Sequence, residues 1–338
     1  MTYSATDFDN QSRQLRSEYK ILRFETSNLY PGCEILAQET KKEDGVEKWS
    51  YWMADQSLHS GMRYVRLSNI PGTLSGEILR LRSNLPSLSE HWDIDGDIIT
   101  EVKETPAPPE EEDFPLDFDC TSADIENLPL IEIDESKHFL KQCKYRREID
   151  NLLKCQGGSC PGTQISPHLV HLLGRSPDGQ LVFKKLRPWQ YGISKNISLV
   201  DYKRWLLQLI EALKCLHSLG IVHRDLSLKN IMFSEEKRDL VLIDLESKWG
   251  TWFAPELTKT MDEKDLDASG WSEQSDIYDV GPLIKGWVYA NVPINHLVEW
   301  PVPPPLDAVV KACMMTDPAK RPKLDELRAI IEAIHISE

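Results

Sequence analysis

Ile221-Val222-His223-Arg224-Asp225-Leu226-Ser227-Leu228-Lys229-Asn230-Ile231-Met232 sets a cluster of polar residues between two apolar runs. A short turn-bearing stretch follows, and the next apolar run ends in Leu242-Ile243-Asp244-Leu245-Glu246. Carboxylate and amide oxygens of this kind hold a hard divalent cation. A carboxylate placed beside a hydroxyl can also take its proton. Together these groups suit the transfer of a phosphoryl group to a hydroxyl, a reaction governed by positioning and charge neutralisation. A His-Arg-Asp triplet alone is most often a surface turn with a local salt bridge. The surrounding elements therefore decide whether these residues meet.

A long amphipathic helix precedes the cluster. Leu199, Tyr202, Trp205, Leu206, Leu209, Leu213 and Leu216 recur on one face, and Gly220 stands where a C′ glycine would end it. Ile231–Phe233 and Leu240–Ile243 read as a hairpin across Ser234–Asp239. Leu169–Leu173 and Leu181–Phe183 read as another, around Ser176-Pro177-Asp178-Gly179. Phe139, Leu140, Cys143, Ile149, Leu152 and Leu153 approach the helical period and predict a helix over 137–154 that stops at Gly157-Gly158. Further helices are predicted over 276–289, 306–315 and 324–334.

The chain has 338 residues, room for two or three domains, and a hydrophobic content of 41%, enough for a real core. A net charge of -15 argues against nucleic-acid and anionic-membrane partners, which need clustered Lys and Arg. The polar start Met1-Thr2-Tyr3-Ser4 has no apolar signal region, and no apolar run is long enough to span a bilayer. Seven scattered cysteines suit a reducing cytoplasm or nucleus. Three zones are expected. Residues 1–103 form a partly β region of unknown role, with Cys33–Thr40 and Lys48–Met53 as a strand pair around a charged tip. Residues 104–127, with Pro106-Ala107-Pro108-Pro109 and Glu110-Glu111-Glu112-Asp113, read as an acidic Pro-rich linker. Residues 128–338 form the domain that carries the polar cluster, with its helical part at about 190–338.

In their order these motifs resemble the catalytic region of eukaryotic protein kinases. His223-Arg224-Asp225-Leu226 with Asn230 is similar to the catalytic loop, and Asp244-Leu245-Glu246 stands at the magnesium motif. Ala254-Pro255-Glu256 resembles the end of the activation segment, Ser275-Asp276-Ile277-Tyr278-Asp279-Val280-Gly281 the start of the helix after it, and Asp317-Pro318-Ala319-Lys320-Arg321-Pro322 the late D-P-x-x-R-P motif. Arg147-Glu148-Ile149 resembles the core of the αC helix, and Ser166–Gly174 the strand that follows. The resemblance implies a two-lobed α+β fold with a mainly helical C-lobe. It implies that Asp225 faces the acceptor hydroxyl, that Lys229 neutralises phosphate charge, and that Asn230 and Asp244 hold Mg²⁺. Glu148 would pair with the ATP-holding lysine. His223 and Arg224 would frame the loop, Asp276 would hydrogen-bond its backbone, and Glu256 would form a buried ion pair with Arg321. The implied ligands are ATP, Mg²⁺ and a protein hydroxyl, serine or threonine before tyrosine.

The sequence also departs from the family. The glycine-rich loop and the V-A-I-K lysine have no match. No lysine lies between Lys103 and Lys137; Lys137 and Lys141 are the nearest candidates, and both fall on or beside the predicted helix. An incomplete or atypical β-rich N-lobe is therefore expected. Asp-Leu-Glu in place of Asp-Phe-Gly removes a glycine hinge and adds the Glu246 carboxylate. The segment Leu245–Phe253 is short, so little switching by phosphorylation is expected. With the stretches Leu240–Trp249 and Asn295–Pro305, the chain resembles a divergent kinase-like group seen in fungi. Two other functions stay open. A pseudokinase binding module fits the missing lysine, and a small-molecule kinase fits the Asp-x-Glu motif but not Glu256, Asp276 and Arg321. Cys155, Cys160, His168 and His171 lack finger spacing and argue little for zinc. Trp249, Trp252, Trp271, Trp287 and Trp300 read as packing groups.

Overall fold

In a computed structural model of the protein, residues 2–27, 35–43, 46–54, 61–69, 91–96, 98–109, 118–158, 165–188, 197–235, 238–257, 269–290 and 301–337 are described. The chain forms two compact units, Met1–Arg16 with Asp117–Val292 and Pro301–Glu338, and Ser17–Leu116 with Pro293–Trp300. It begins with strand β1 (Thr2–Ser4) and helix α1 (Ala5–Ser27).

The second unit holds one five-stranded sheet of β2 (Ile35–Glu43), β3 (Val46–Ala54), β4 (Met62–Ser68), β5 (Trp92–Asp95) and β6 (Ile98–Glu101), in that order. All pairs are antiparallel except β4 with β5. Alternation along β3 and β4 builds the core: Tyr51, Met53, Val65, Leu67 and Ile94 are buried together. Trp52 and Tyr64 pack on the opposite face, and the Trp52 indole donates to the Pro106 carbonyl. Of the expected strand pair Cys33–Thr40 with Lys48–Met53, the described residues pair from Ile35 and Met53 on, and the pairing runs to Glu43 and Val46, further into the charged tip than the sequence pattern indicated; Cys33 and Glu34 lie outside the described residues.

The first unit continues with α2 (Ser122–Glu126), β7 (His138–Lys141), α3 (Arg146–Lys154), β8 (Leu172–Arg175), β9 (Leu181–Lys184) and β10 (Arg187–Pro188). Then come α4 (Leu199–Ser218), β11 (Ile231–Phe233), β12 (Leu240–Leu242), α5 (Glu273–Tyr289), α6 (Leu306–Cys313), α7 (Leu324–Glu332) and β13 (His335–Ser337). It has two lobes of α+β character. A small sheet in the order β7-β9-β8 accompanies α3, and the helical part carries the sheet β10-β11-β12.

The helix predicted over 137–154 is corrected. Residues 138–141 are a strand, antiparallel to β9, and the helix begins only at Arg146. Four residues are too few for periodicity to separate strand from helix. The turn closed by Lys137 N–H and His138 N–H on the Asp134 carbonyl starts the strand, and pairing with Leu181–Lys184 decides the rest. Part of the expected linker is also ordered. Residues 122–126 form α2, capped by Thr121 and Asp124, while 110–117 lie outside the described residues.

The helical core is built around α4. Leu199, Tyr202, Trp205, Leu206, Leu209, Leu213 and Leu216 are all buried, as the sequence pattern predicted. Tyr202 and Trp205 pack against Trp287 of α5, and Trp205 also packs against Phe233. Each such buried side chain contributes about 1.5–3 kcal/mol. The chain's first residues join this unit. β1 pairs in parallel with β13, Phe8 is buried edge-on against Tyr202, and Arg16 donates to the carbonyls of Trp287 and Val288. Among the described residues no helix is long and apolar enough to cross a membrane.

Candidate active site

Helix α4 delivers the chain into the polar cluster through a defined stop. Ile221 N–H bonds the Leu216 carbonyl, and Gly220 N–H, at a φ of 70°, bonds the His217 carbonyl. This pair of bonds with a left-handed glycine is a Schellman cap, and it turns the chain towards His223. Asp276, fully buried in the first turn of α5, then fixes the loop. Its carboxylate accepts from the backbone N–H of His223 (2.8 Å) and Arg224 (2.9 Å), and lies 2.8 Å from His217 Nε2. His223 Nε2 donates to the Ile243 carbonyl at 2.9 Å, while its Nδ1 accepts from Asp225 N–H, which sets the neutral Nε2–H tautomer. The loop is thereby stitched to Ile243, between the end of β12 at Leu242 and Asp244.

Asn230 donates through Nδ2 to the Asp225 carbonyl and to Asp225 Oδ2, both at 2.8 Å. The amide oxygen of Asn230 is left for another ligand. Lys229 is exposed, with Nζ 3.2 Å from Asp225 Oδ2. Asp244 has a φ of 65° and Arg224 a φ of 73°, left-handed conformations that cost non-glycine residues energy and cluster at functional sites. Gly250 lets the following segment cross this loop, because a Cβ there would lie 2.3 Å from the Arg224 carbonyl oxygen. The Arg224 guanidinium stacks 5.0 Å from the Trp271 ring, and the Trp271 indole N–H donates to the Thr251 carbonyl.

The small lobe supplies what the sequence reading missed. Strand β7 points Lys141 inward, with Nζ 2.7 Å from Glu148 Oε1, 2.6 Å from Asp244 Oδ1 and 3.1 Å from Glu246 Oε1. Glu148 is in the first turn of α3 and is buried. Lys141, one of the two nearest candidates in the sequence but expected on or beside the αC helix, is on a strand and pairs with Glu148. No sequence signal separated this four-residue strand from the helical spacing around it. Asn151 of α3 donates to the Leu245 carbonyl, and Arg147 to the Ser247 carbonyl, so the helix is fastened to the Asp-Leu-Glu segment. Asp119 accepts from Arg146 N–H at the start of α3.

Charge at this point is unbalanced. Burial pushes the Glu148 carboxyl up to about 7, against the pull of Lys141, and Glu246 and Asp244 push the same way. Burial alone would lower the Lys141 ammonium, but Glu148 and Asp244 outweigh it and raise it. Both groups hold their protons more tightly than usual. Beside the cluster opens a cleft of about 610 Å³. Phe139, Val170, Phe183, Met232 and Ile243 line its apolar part; Lys141, Asn230, Asp244 and Glu246 line its polar end.

Below the loop, Arg321 is fully buried and grips Glu256 with both guanidinium nitrogens, at 2.5 and 2.7 Å. It also donates to the Met315 and Gln274 carbonyls. The structure therefore brings together His223, Arg224, Asp225, Lys229, Asn230, Asp244 and Asp276 around the loop, and pairs Glu256 with Arg321. The zinc reading finds no support in this geometry. His168 Nδ1 lies 3.0 Å from the Leu240 carbonyl and its Nε2 3.3 Å from Glu211, while Cys160 lies outside the described residues. The 295–300 part of the Asn295–Pro305 stretch, Trp300 with it, also lies outside them.

Comparison with known proteins agrees with this geometry. The protein kinase domain family matches residues 168–249, the span from the strand after α3 through the catalytic loop and Asp-Leu-Glu. Over these residues the chain is similar to the protein kinase domain family. Two curated relatives of this kinase-like domain are probable LIM domain-containing serine/threonine-protein kinases from Dictyostelium discoideum. Each is 26% identical over 52% of this chain, and the matches cover 29% and 20% of the relatives' own lengths. The chain thus spans less than a third of the length of these relatives. Lys141, Glu148, Glu256, Asp276 and Arg321 all lie outside the family match; Lys141 meets both Glu148 and Asp244, Asp276 holds the loop backbone, and Arg321 pairs with Glu256. Domains of this family use ATP and a divalent metal. The donor set here fits both, with an apolar cleft ending in a lysine and in carboxylate and amide oxygens.

Proposed function

We propose that the kinase-like domain transfers the γ-phosphate of Mg-ATP to a protein hydroxyl, serine or threonine before tyrosine. The observation that carries this reading is the Lys141–Glu148 pair at 2.7 Å, with Asp244 in reach of the same ammonium. In this reading Lys141 orients nucleotide phosphates, Asn230 and Asp244 hold Mg²⁺, and the apolar cleft takes the purine. Bound Mg²⁺ supplies neutralisation of phosphate charge. Asn230 and Lys229 hold Asp225 Oδ2, so that Asp225 turns its other oxygen to the acceptor hydroxyl and takes its proton. Lys229, exposed and close to Asp225, offers its charge to the transferred phosphate. The Glu256–Arg321 pair and Asp276 support a peptide platform, which favours a protein over a small alcohol as acceptor.

One observation favours a pseudokinase. The stretch from Phe118 to Lys141 contains no glycine, so no glycine-rich turn precedes β7, and β7 pairs with β9 alone among the described strands. Two measurements separate the readings. Thermal melting with and without ATP and Mg²⁺ should show a magnesium-dependent rise, of about 2.7 kcal/mol at a hundredfold excess over Kd. Phosphate transfer to peptide mixtures should exceed transfer to small alcohols and fall roughly 10²–10⁴-fold in Asp225→Asn. A nucleotide-dependent rise in melting without transfer to either acceptor would establish the pseudokinase.

A further inference from the structure

Glu246 stands where the resembled motif has glycine, and it lines the cleft with Lys141, Asn230 and Asp244. Ligand oxygens of Glu148, Asp244 and Glu246 lie within 4.8 Å of one another. One ammonium, that of Lys141, touches all three carboxylates. Counted as ionised, the cluster carries a surplus of two negative charges. Glu148 adds an independent sign of a missing partner. It is 2% exposed, its Oε1 is taken by Lys141, and its Oε2 is buried without a hydrogen-bond partner. A buried carboxylate oxygen left unsatisfied costs free energy unless a cation or donor reaches it. Hard oxygen donors within 4.8 Å of one another, served by one shared ammonium, match a divalent cation in ligand type.

We propose that Glu246 makes this cluster a divalent-cation site that fills before any nucleotide arrives. With glycine at position 246, one surplus charge would remain and Asp244 would be the single carboxylate outside the Lys141–Glu148 pair. A cation would then depend on nucleotide phosphates for the rest of its ligands. With Glu246 present, the chain's own oxygens suffice to capture it, with water completing the shell. Carboxylates accept several ligands at once, so Lys141 keeps its bond to Glu148 Oε1 while Asp244 and Glu246 turn oxygens to the cation. Once they do, the ammonium is relieved of two of its three partners and is free to meet an anion. Glu246 is thus a metal ligand and, through Lys141, a positioning residue. The proposal deepens the kinase reading, but its test needs neither nucleotide nor phosphate transfer.

The test is Mn²⁺ binding to the full chain without nucleotide, followed by the loss of free Mn²⁺ signal in electron paramagnetic resonance and by calorimetry. One saturable site is expected. Glu246→Ala should weaken it at least about tenfold, since even outer ligand partners cost 10–100-fold. Glu246→Gln, which keeps shape and loses charge, should weaken it nearly as much. Lys141→Met should tighten it several-fold, because a competing positive charge is removed. A role for Glu246 as a mere salt-bridge partner of Lys141 predicts none of these changes. The proposal is overturned if the folded chain binds Mn²⁺ only with ATP present, or if Glu246→Ala binds as tightly as the native chain. In the first of those cases the kinase reading survives. If Mn²⁺ binds without nucleotide but no phosphate transfer is found, the kinase reading falls and the cation site stands.

Discussion

In the helical half of the kinase-like domain, Arg321 meets Glu256 in a bidentate pair, and Asp276 is met by two backbone donors and a histidine. In the small lobe, Lys141 is shared among Glu148, Asp244 and Glu246, and one buried oxygen of Glu148 is left over. In the first arrangement each charged group has its own partners: both Arg321 nitrogens reach Glu256, and both Asp276 oxygens accept hydrogen bonds. The second is in deficit of positive charge. A buried site left in deficit is costly to a folded chain alone and becomes favourable when a ligand completes it. The contrast separates the part of the domain that is architecture from the part that we propose as the cation and nucleotide site.

Breaking the matched joint should have the largest effect. Arg321→Met leaves Glu256 without its partner and should cost about 3–5 kcal/mol, seen as a lower midpoint in urea unfolding. Adding Glu256→Gln should return part of that loss, because the two side chains share one interaction. Full additivity would show that they do not. Lys141→Met should cost less, and its cost should depend on pH. Glu148 already has a folded-state carboxyl raised to about 7 by burial, so its favourable contribution is complete below the unfolded value of about 4.5 and is lost as pH rises through 7. Removing Lys141 raises that carboxyl further and shifts the loss upward. The melting temperature of Lys141→Met should therefore fall between pH 5 and 8 more than that of Lys141→Met with Glu148→Gln. Parallel profiles would remove Glu148 as the cause.

A smaller effect is expected at Asp279. Burial raises its carboxyl well above the usual range, and Thr251 partly offsets this by donating to it. The sign is that of Glu148: stability is present at low pH and lost as pH rises through the raised value. Asp279→Asn should flatten the pH profile and raise stability at neutral pH by about 1 kcal/mol. A drop at every pH would mean that the Thr251 contact needs the charged form. The smallest effect belongs to the surface. Lys214→Ala breaks an exposed pair with Asp325 and should leave unfolding unchanged, as is usual for solvated ion pairs.

The helical half was far more legible in the sequence than the small lobe. Helix α4 declares itself over twenty residues of apolar periodicity, and its Gly220 stop is local chemistry. The loop from His223 to Asn230 is likewise short-range: Asp225 and Asn230 are five residues apart and bond each other directly. β7 gave no such signal. Its four residues sit beside a true helix and carry a spacing that imitates one. The N-terminal residues gave none either, because the burial of Phe8 depends on Tyr202, and the pairing of β1 on β13 at the other end of the chain.

The sequence by itself determined the residue types of the loop, the order of motifs that implied an α+β kinase-like fold, and the helices whose faces repeat often enough to leave one solution. These depend on spacing along a few turns of chain. Only the tertiary structure decided that Lys141 faces Glu148 and that Glu246 closes on the same ammonium. A lysine on a short strand has no local preference for which carboxylate it meets. Lys141 lies seven residues from Glu148 and more than a hundred from Asp244 and Glu246, and the pairing of β7 with β9 and the seating of α3 on the Leu245–Ser247 backbone bring them together.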